Sequence, residues 1–106
     1  MNKVITVPKN KDAEVRLNYN EALHFELIEI NLTIEEFNYL WDKGIFHLIN
    51  NICNSIIDDN EDESINDLNL IKKTHQELNN RYSECKNIID MFQYALTYKT
   101  SIHFYF

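Results

Sequence analysis

A chain of 106 residues with 44% apolar and 12% aromatic side chains is long enough for one core, since a domain of this size buries roughly two-thirds of its unfolded surface. One glycine, Gly44, and one proline, Pro8, exclude glycine-rich phosphate loops, the dinucleotide fingerprint and the G-x-S-x-G nucleophile elbow. The formal charge of −7 is unevenly placed: residues 17–67 hold twelve acids against Lys43 alone, while the flanking segments are each at +2, so the middle of the chain attracts cationic partners and repels nucleic acid and anionic membrane.

Residues 3–7 (K-V-I-T-V) are β-branched and stop at Pro8, the pattern of a strand. Residues 9–12 (K-N-K-D) follow as a polar turn. In 14–19 (E-V-R-L-N-Y), Val15, Leu17 and Tyr19 alternate with polar residues, which predicts a second strand pairing back as a hairpin. Across 23–32, Phe25 and Leu27 alternate with His24 and Glu26 before Ile28 and Ile30 switch sides. A strand with a bulge accounts for this, with a helix as the alternative.

Thr33 and Glu36 have the spacing of a capping box, in which hydroxyl and carboxylate each satisfy a backbone amide at a helix start. Ile34, Phe37, Leu40 and Trp41 follow at helical spacing. Lys43-Gly44 stops that helix, because glycine tolerates the left-handed conformation. Helical period resumes over 45–57 through Phe46, Ile49, Ile52, Cys53, Ile56 and Ile57.

Residues 58–67 (D-D-N-E-D-E-S-I-N-D) are six-tenths acidic and contain no base. A calcium loop starting at Asp58 needs Gly at its sixth place and Glu at its twelfth, where this chain has Glu63 and Asn69; starting at Asp59 fails equally, with Ser64 and Leu70. Two readings stay open for the run: a solvated loop between helices, or a patch facing a partner. Ser64 and Asp67 are placed to cap the next helix. Leu68, Ile71, Leu78, Tyr82, Cys85, Ile88, Ile89, Phe92 and Leu96 then predict one helix of about eight turns, or two with a bend near Asn79-Asn80, since Asn is a poor helix former. Residues 100–106 alternate Ile102, Phe104 and Phe106 with His103 and Tyr105 and read as a strand paired inside a sheet. Strands, then helices, then one strand predict an α+β fold: a single domain over residues 1–106, with a small sheet of N-terminal strands plus the C-terminal strand, packed against three to four helices on one face.

The chemistry-bearing residues point away from catalysis. Cys53 and Cys85 sit at helix-periodic apolar positions and read as buried free thiols. His24, His47, His75 and His103 include no pair three to five residues apart, so no local zinc motif exists and no cofactor or metal is expected. His24 and His103 fall in candidate strands and are the residues an enzyme reading would use. Lys72, Lys73, Arg81 and Lys86 are interleaved with Glu77, Glu84 and Asp90, a mixed helix face rather than a phosphate-binding one. Trp41 packs behind its helix or anchors an interface, flanked by Tyr39 and Asp42. With no apolar stretch near the roughly 20 residues that span a bilayer, and no secretion signal, the chain reads as cytoplasmic.

The stretch T-I-E-E-F-N-Y-L-W-D-K-G-I-F, residues 33–46, with Ile49-Asn50 and the acidic 58–63 segment after a helix, resembles small acidic bacterial immunity proteins that neutralise polymorphic toxins, including those of contact-dependent growth inhibition. The resemblance implies action by binding, a cognate toxin as partner, and no catalytic residues. It transfers little structure, because such proteins share a role across unrelated folds. With it, the charge pattern makes Asp58, Asp59, Glu61, Asp62, Glu63 and Asp67, together with Glu35, Tyr39 and Asp42, the expected contact residues for a basic toxin domain, a nuclease by preference. The rivals are an acidic DNA mimic from a phage or mobile element, a plain protein-interaction domain, and a small nuclease; oligomeric state stays open.

Overall fold

In the computed structural model, which describes residues 3–106, strand β1 (Lys3–Pro8) is followed by helix α1 (Lys11–Asn18), a 3-10 turn (His24–Glu26) and β2 (Leu27–Leu32). Helices α2 (Ile34–Asp42) and α3 (Ile45–Cys53), strand β3 (Asp62–Ile65), helices α4 (Leu68–Arg81) and α5 (Lys86–Tyr98) and strand β4 (Ile102–Tyr105) complete the chain. The four strands form one antiparallel sheet in the order β2-β1-β4-β3. The architecture is α+β, as expected, but its elements interleave: α1 separates β1 from β2, and β3, drawn from the acidic run, lies between α3 and α4 and joins the sheet beside β4.

Several local assignments differ from the sequence reading, each for a physical reason. Residues 14–19 are helical, not a hairpin strand. The Asn10 side chain accepts from the Ala13 amide at 2.8 Å, Asp12 and Glu14 sit in the first turn and Arg16 in the last, so the end signals outweigh a short alternation. The change of side in 23–32 is absorbed by the 3-10 turn and not by a bulge. The second half-chain helix is two helices, parted at residues 82–85 and not at Asn79-Asn80. Both asparagines stay exposed within α4, while the Tyr82 hydroxyl donates to the Lys43 carbonyl at 2.9 Å and ends it.

Helix α3 stops at Cys53, short of Ile57. Asn54 takes a left-handed turn (φ 53°), and the Asn50 side chain closes it by accepting from the Ile57 amide and the Ser55 hydroxyl, both at 2.8 Å. Elsewhere the end signals hold. Thr33 and Glu36 make the reciprocal capping box (2.9 and 3.1 Å), and Gly44 takes φ 87° between α2 and α3. Asp67 alone caps α4, accepting from Asn69 and Leu70; Ser64 lies in β3.

Strand register decides the two faces. Ile5 lies opposite both Ile30 and Phe104, and Ile65 opposite Ile102, so these point to one side. There they meet Phe37 and Leu40 of α2, Ile45, Phe46 and Ile49 of α3, Ile71 and Leu78 of α4, and Ile88, Met91 and Phe92 of α5. Phe46 is fully buried, its ring 5.3 Å from Phe37 and 5.4 Å from Phe106. On the second face stand Val4, Thr6, His103 and Tyr105, with Glu29 and Asn31 of β2 and Asp62 and Ser64 of β3. No described helix is long and apolar enough to cross a membrane.

Candidate functional site

One end of the sheet gathers carboxylates from segments far apart in sequence. The end is defined by Lys3 of β1, opposite Leu32 at the close of β2, by Tyr105 of β4, and by Asp62 opening β3. The chain reaches Asp62 through a tight turn in which Asp58 bridges to Glu61 and the Asp58 carboxylate accepts from the Asn60 amide at 2.8 Å. From Leu32 it passes straight into α2, so Glu35 in the first turn of that helix belongs to the same end. Three strand spacings of about 4.8 Å put the β2 and β3 sides of this end roughly 14 Å apart.

The nine expected contact residues are not all brought together. Asp58, Asp59, Glu61 and Asp62 cluster on the turn and edge strand. Asp59 is bound to Lys3 at 2.6 Å. Asp58, Glu61 and Asp62 have no Lys or Arg partner among the described residues. Glu63 lies opposite Phe104 and so points to the helix side, where its carboxylate accepts from the Ile56 amide at 2.9 Å. Asp67 is beyond the other end of β3, committed to its cap. Glu35, Tyr39 and Asp42 occupy the exposed side of α2, opposite Phe37 and Leu40.

Lys3 organises this end. Its side chain is 8% exposed; Nζ also donates to the Asp59 carbonyl (3.1 Å) and the Phe106 carbonyl (3.3 Å) and lies 4.6 Å from the Phe37 ring centre. One buried ammonium therefore ties the acidic turn to β1, to the residue after β4 and to α2. The sequence reading missed it because a lysine in the first strand carries no signal of its distant partner. It also missed Glu29, which flanks Tyr105 on the second face. Burial first, then the fields of Asp62 and Glu29, push the Tyr105 hydroxyl up.

The histidines of the enzyme reading do not meet. His24 is on the 3-10 turn, its side chain 96% exposed and 3.3 Å from Glu29. His103 is 6% exposed, with Nε2 2.7 Å from the Ser101 hydroxyl, itself 1% exposed. Such burial makes Ser101 and His103 part of the packing of β4. Burial lowers the His103 pKa below 6.5, and nearby Glu14 of α1 offsets this in part. Below pH 6.5 the unfolded chain takes up a proton that folded His103 refuses, so this contribution to stability is full above about pH 6.5 and shrinks as the pH falls towards the folded value. Urea midpoints at about pH 7.5 and 5.5 should show this loss, and His103→Gln should reduce it.

Cys53 and Cys85 are both free thiols, as expected, but half-exposed rather than buried; burial pushes both pKa values up. Trp41 is half-buried, its ring 5.9 Å from Phe37 and 4.8 Å from exposed His47, so it borders the core and the surface alike.

Fold and site together define a small α+β protein with a four-stranded antiparallel sheet whose one end is acidic. Among solved structures its fold matches that of the Neisseria DNA mimic protein DMP12, over 100% of both chains, with a TM-score of 0.69 and 19% sequence identity. At that identity the likeness is one of fold. No family model matches the sequence, and no curated protein matches it.

Proposed function

We propose that this chain is a DNA mimic: an inhibitor that docks the acidic end of its sheet onto the DNA-binding face of a basic protein. The carrying observation is the trio Asp58, Glu61 and Asp62 on the turn and edge strand, Glu61 and Asp62 exposed, with no Lys or Arg partner among the described residues, and with Glu35 of α2 at the same end of the sheet. B-DNA carries one phosphate per about 3.4 Å of axis on each strand, so 14 Å of one strand presents roughly four charges. The carboxylates gathered at the sheet end offer a basic cleft charge of the same sign. The full-length fold likeness to a protein described as a DNA mimic supports the reading.

The partner class is a protein whose normal ligand is DNA. A toxin nuclease is one member of that class, and the likeness of residues 33–46 to immunity proteins favours it as the particular target. Carboxylates at an exposed rim chiefly accelerate and orient docking; each exposed pair adds about 0–1 kcal/mol. The function therefore requires no bond-making, only a surface that arrives quickly and covers the cleft.

Competition for a labelled duplex tests the proposal. Basic DNA-binding proteins from the source cell, including any nuclease encoded beside this chain, are loaded with fluorescent duplex and titrated with the protein. The expected result is release of duplex and formation of a stoichiometric complex with at least one of them. Complexes that leave the duplex bound, or no complex with any, would remove the mimic reading.

A further inference from the structure

A groove of about 490 Å³ runs between α2 and the start of α5, within the usual range for a ligand site. Its floor is apolar: Leu32, Leu40 and Ile88, which are 5%, 8% and 2% exposed. Its rim carries exposed Glu35, Glu36, Glu84 and Tyr39, against one lysine, Lys86. Glu35 is shared with the acidic end of the sheet, so groove and acidic end are continuous.

Two of these rim residues already hold a cation from just outside the groove. Lys43 Nζ is 5.1 Å from the Tyr39 ring centre and 3.7 Å from the Glu84 carboxylate. An ammonium placed between an aromatic face and a carboxylate marks the charge this edge selects.

We propose that the groove receives an arginine side chain of the basic partner. Its guanidinium would lie against Tyr39 among the Glu35 and Glu84 carboxylates, and its methylene stem on Leu32, Leu40 and Ile88. The inference rests on the mimic reading for the identity of the partner. Arginine fits better than lysine: its planar, weakly hydrated head stacks on a ring and forks to carboxylates, and its stem covers apolar surface. A desolvated anchor of this kind supplies the affinity that rim charges do not.

Cys85 lines the groove and reports on its occupancy. In a Cys53→Ala background it is the sole thiol. That substitution leaves Thr74 satisfied, because its hydroxyl donates to the Leu70 carbonyl at 2.8 Å. The probe is a tetra-arginine peptide, with tetra-lysine as comparison, and the measurement is the rate of Cys85 alkylation by iodoacetamide at low salt and mildly alkaline pH. Tetra-arginine should slow alkylation by about fivefold, as expected when four-fifths of the grooves are filled, at a concentration where tetra-lysine protects less. Tyr39→Ala and Glu35→Gln should abolish the protection, whereas Asp58→Asn, Glu61→Gln and Asp62→Asn together should retain it. Lys43→Ala should strengthen it more than Lys72→Ala, which removes the same charge far from the groove. An unchanged alkylation rate at saturating tetra-arginine, or protection that survives Tyr39→Ala and Glu35→Gln, would overturn the assignment. Because the probe is a free peptide, this result stands or falls separately from duplex competition.

Discussion

A variant carrying Asp58→Asn, Glu61→Gln and Asp62→Asn should associate with a basic DNA-binding partner about 10- to 100-fold more slowly at low salt. The rates of variant and parent should converge as salt shortens the screening length from about 30 Å at 0.01 M to about 3 Å at 1 M. Stopped-flow association across a salt series reads both effects. The matched control is Asp12→Asn, Glu21→Gln and Asp90→Asn, which removes the same charge from exposed positions outside the cluster. If the two triple variants slow association equally, net charge alone acts and the sheet end is not the docking surface. Asp59 is deliberately kept. Its carboxylate is the partner of the 8% exposed Lys3 ammonium, and removing it would strand a buried charge and confuse recognition with stability. Neutralising the other three should leave stability level or raise it slightly, since they stand close to one another and have no Lys or Arg partner among the described residues.

The largest loss of stability should come from Phe46→Ala. The ring is fully buried against Phe37, Phe106 and Trp41, so truncation removes its transfer energy and leaves a cavity that three aromatic neighbours cannot collapse into. The expected cost is about 3–5 kcal/mol, a fall in Tm of roughly 15–25 °C for a domain of this size. Phe25→Ala makes the contrast: the same chemistry at a ring 71% exposed should change stability by no more than about 0.5 kcal/mol. Thermal unfolding of the two variants beside the parent measures this, and similar falls in Tm would show that the aromatic cluster does not carry the core. The cluster also bears on function. Phe37 stacks on Phe46 and also receives Lys3, so loosening it loosens the contact that holds the acidic turn to the sheet.

The end signals of helices were legible in the sequence where side chain and backbone act within one turn. Thr33 with Glu36, Gly44 and Asp67 each carry a local hydrogen bond or a local φ requirement, and each does in the structure what its position requires. Asn10 carries the same kind of signal, and reading it with Asp12, Glu14 and Arg16 would have identified α1. Strands β1 and β4 were legible too, from β-branched and aromatic alternation. Strand β3 was not. Asp62 and Glu63 are poor strand formers and Ile65 is a lone apolar residue, so the segment is extended because β4 supplies an edge to pair with.

The same division runs through the candidate site. By itself the sequence determined the charge, its concentration in the middle of the chain, the absence of phosphate-loop motifs and the α+β class, because these depend on composition and on contacts a few residues long. Only the tertiary structure decided which carboxylates remain available. It turned Glu63 inward, committed Asp67 to a helix end, paired Asp59 with a lysine 56 positions away and brought Glu35 to the same end of the sheet as Asp62. Strand register and long-range ion pairing set those outcomes, and neither leaves a mark on a local pattern, since each depends on which distant segment fills the neighbouring place in the sheet.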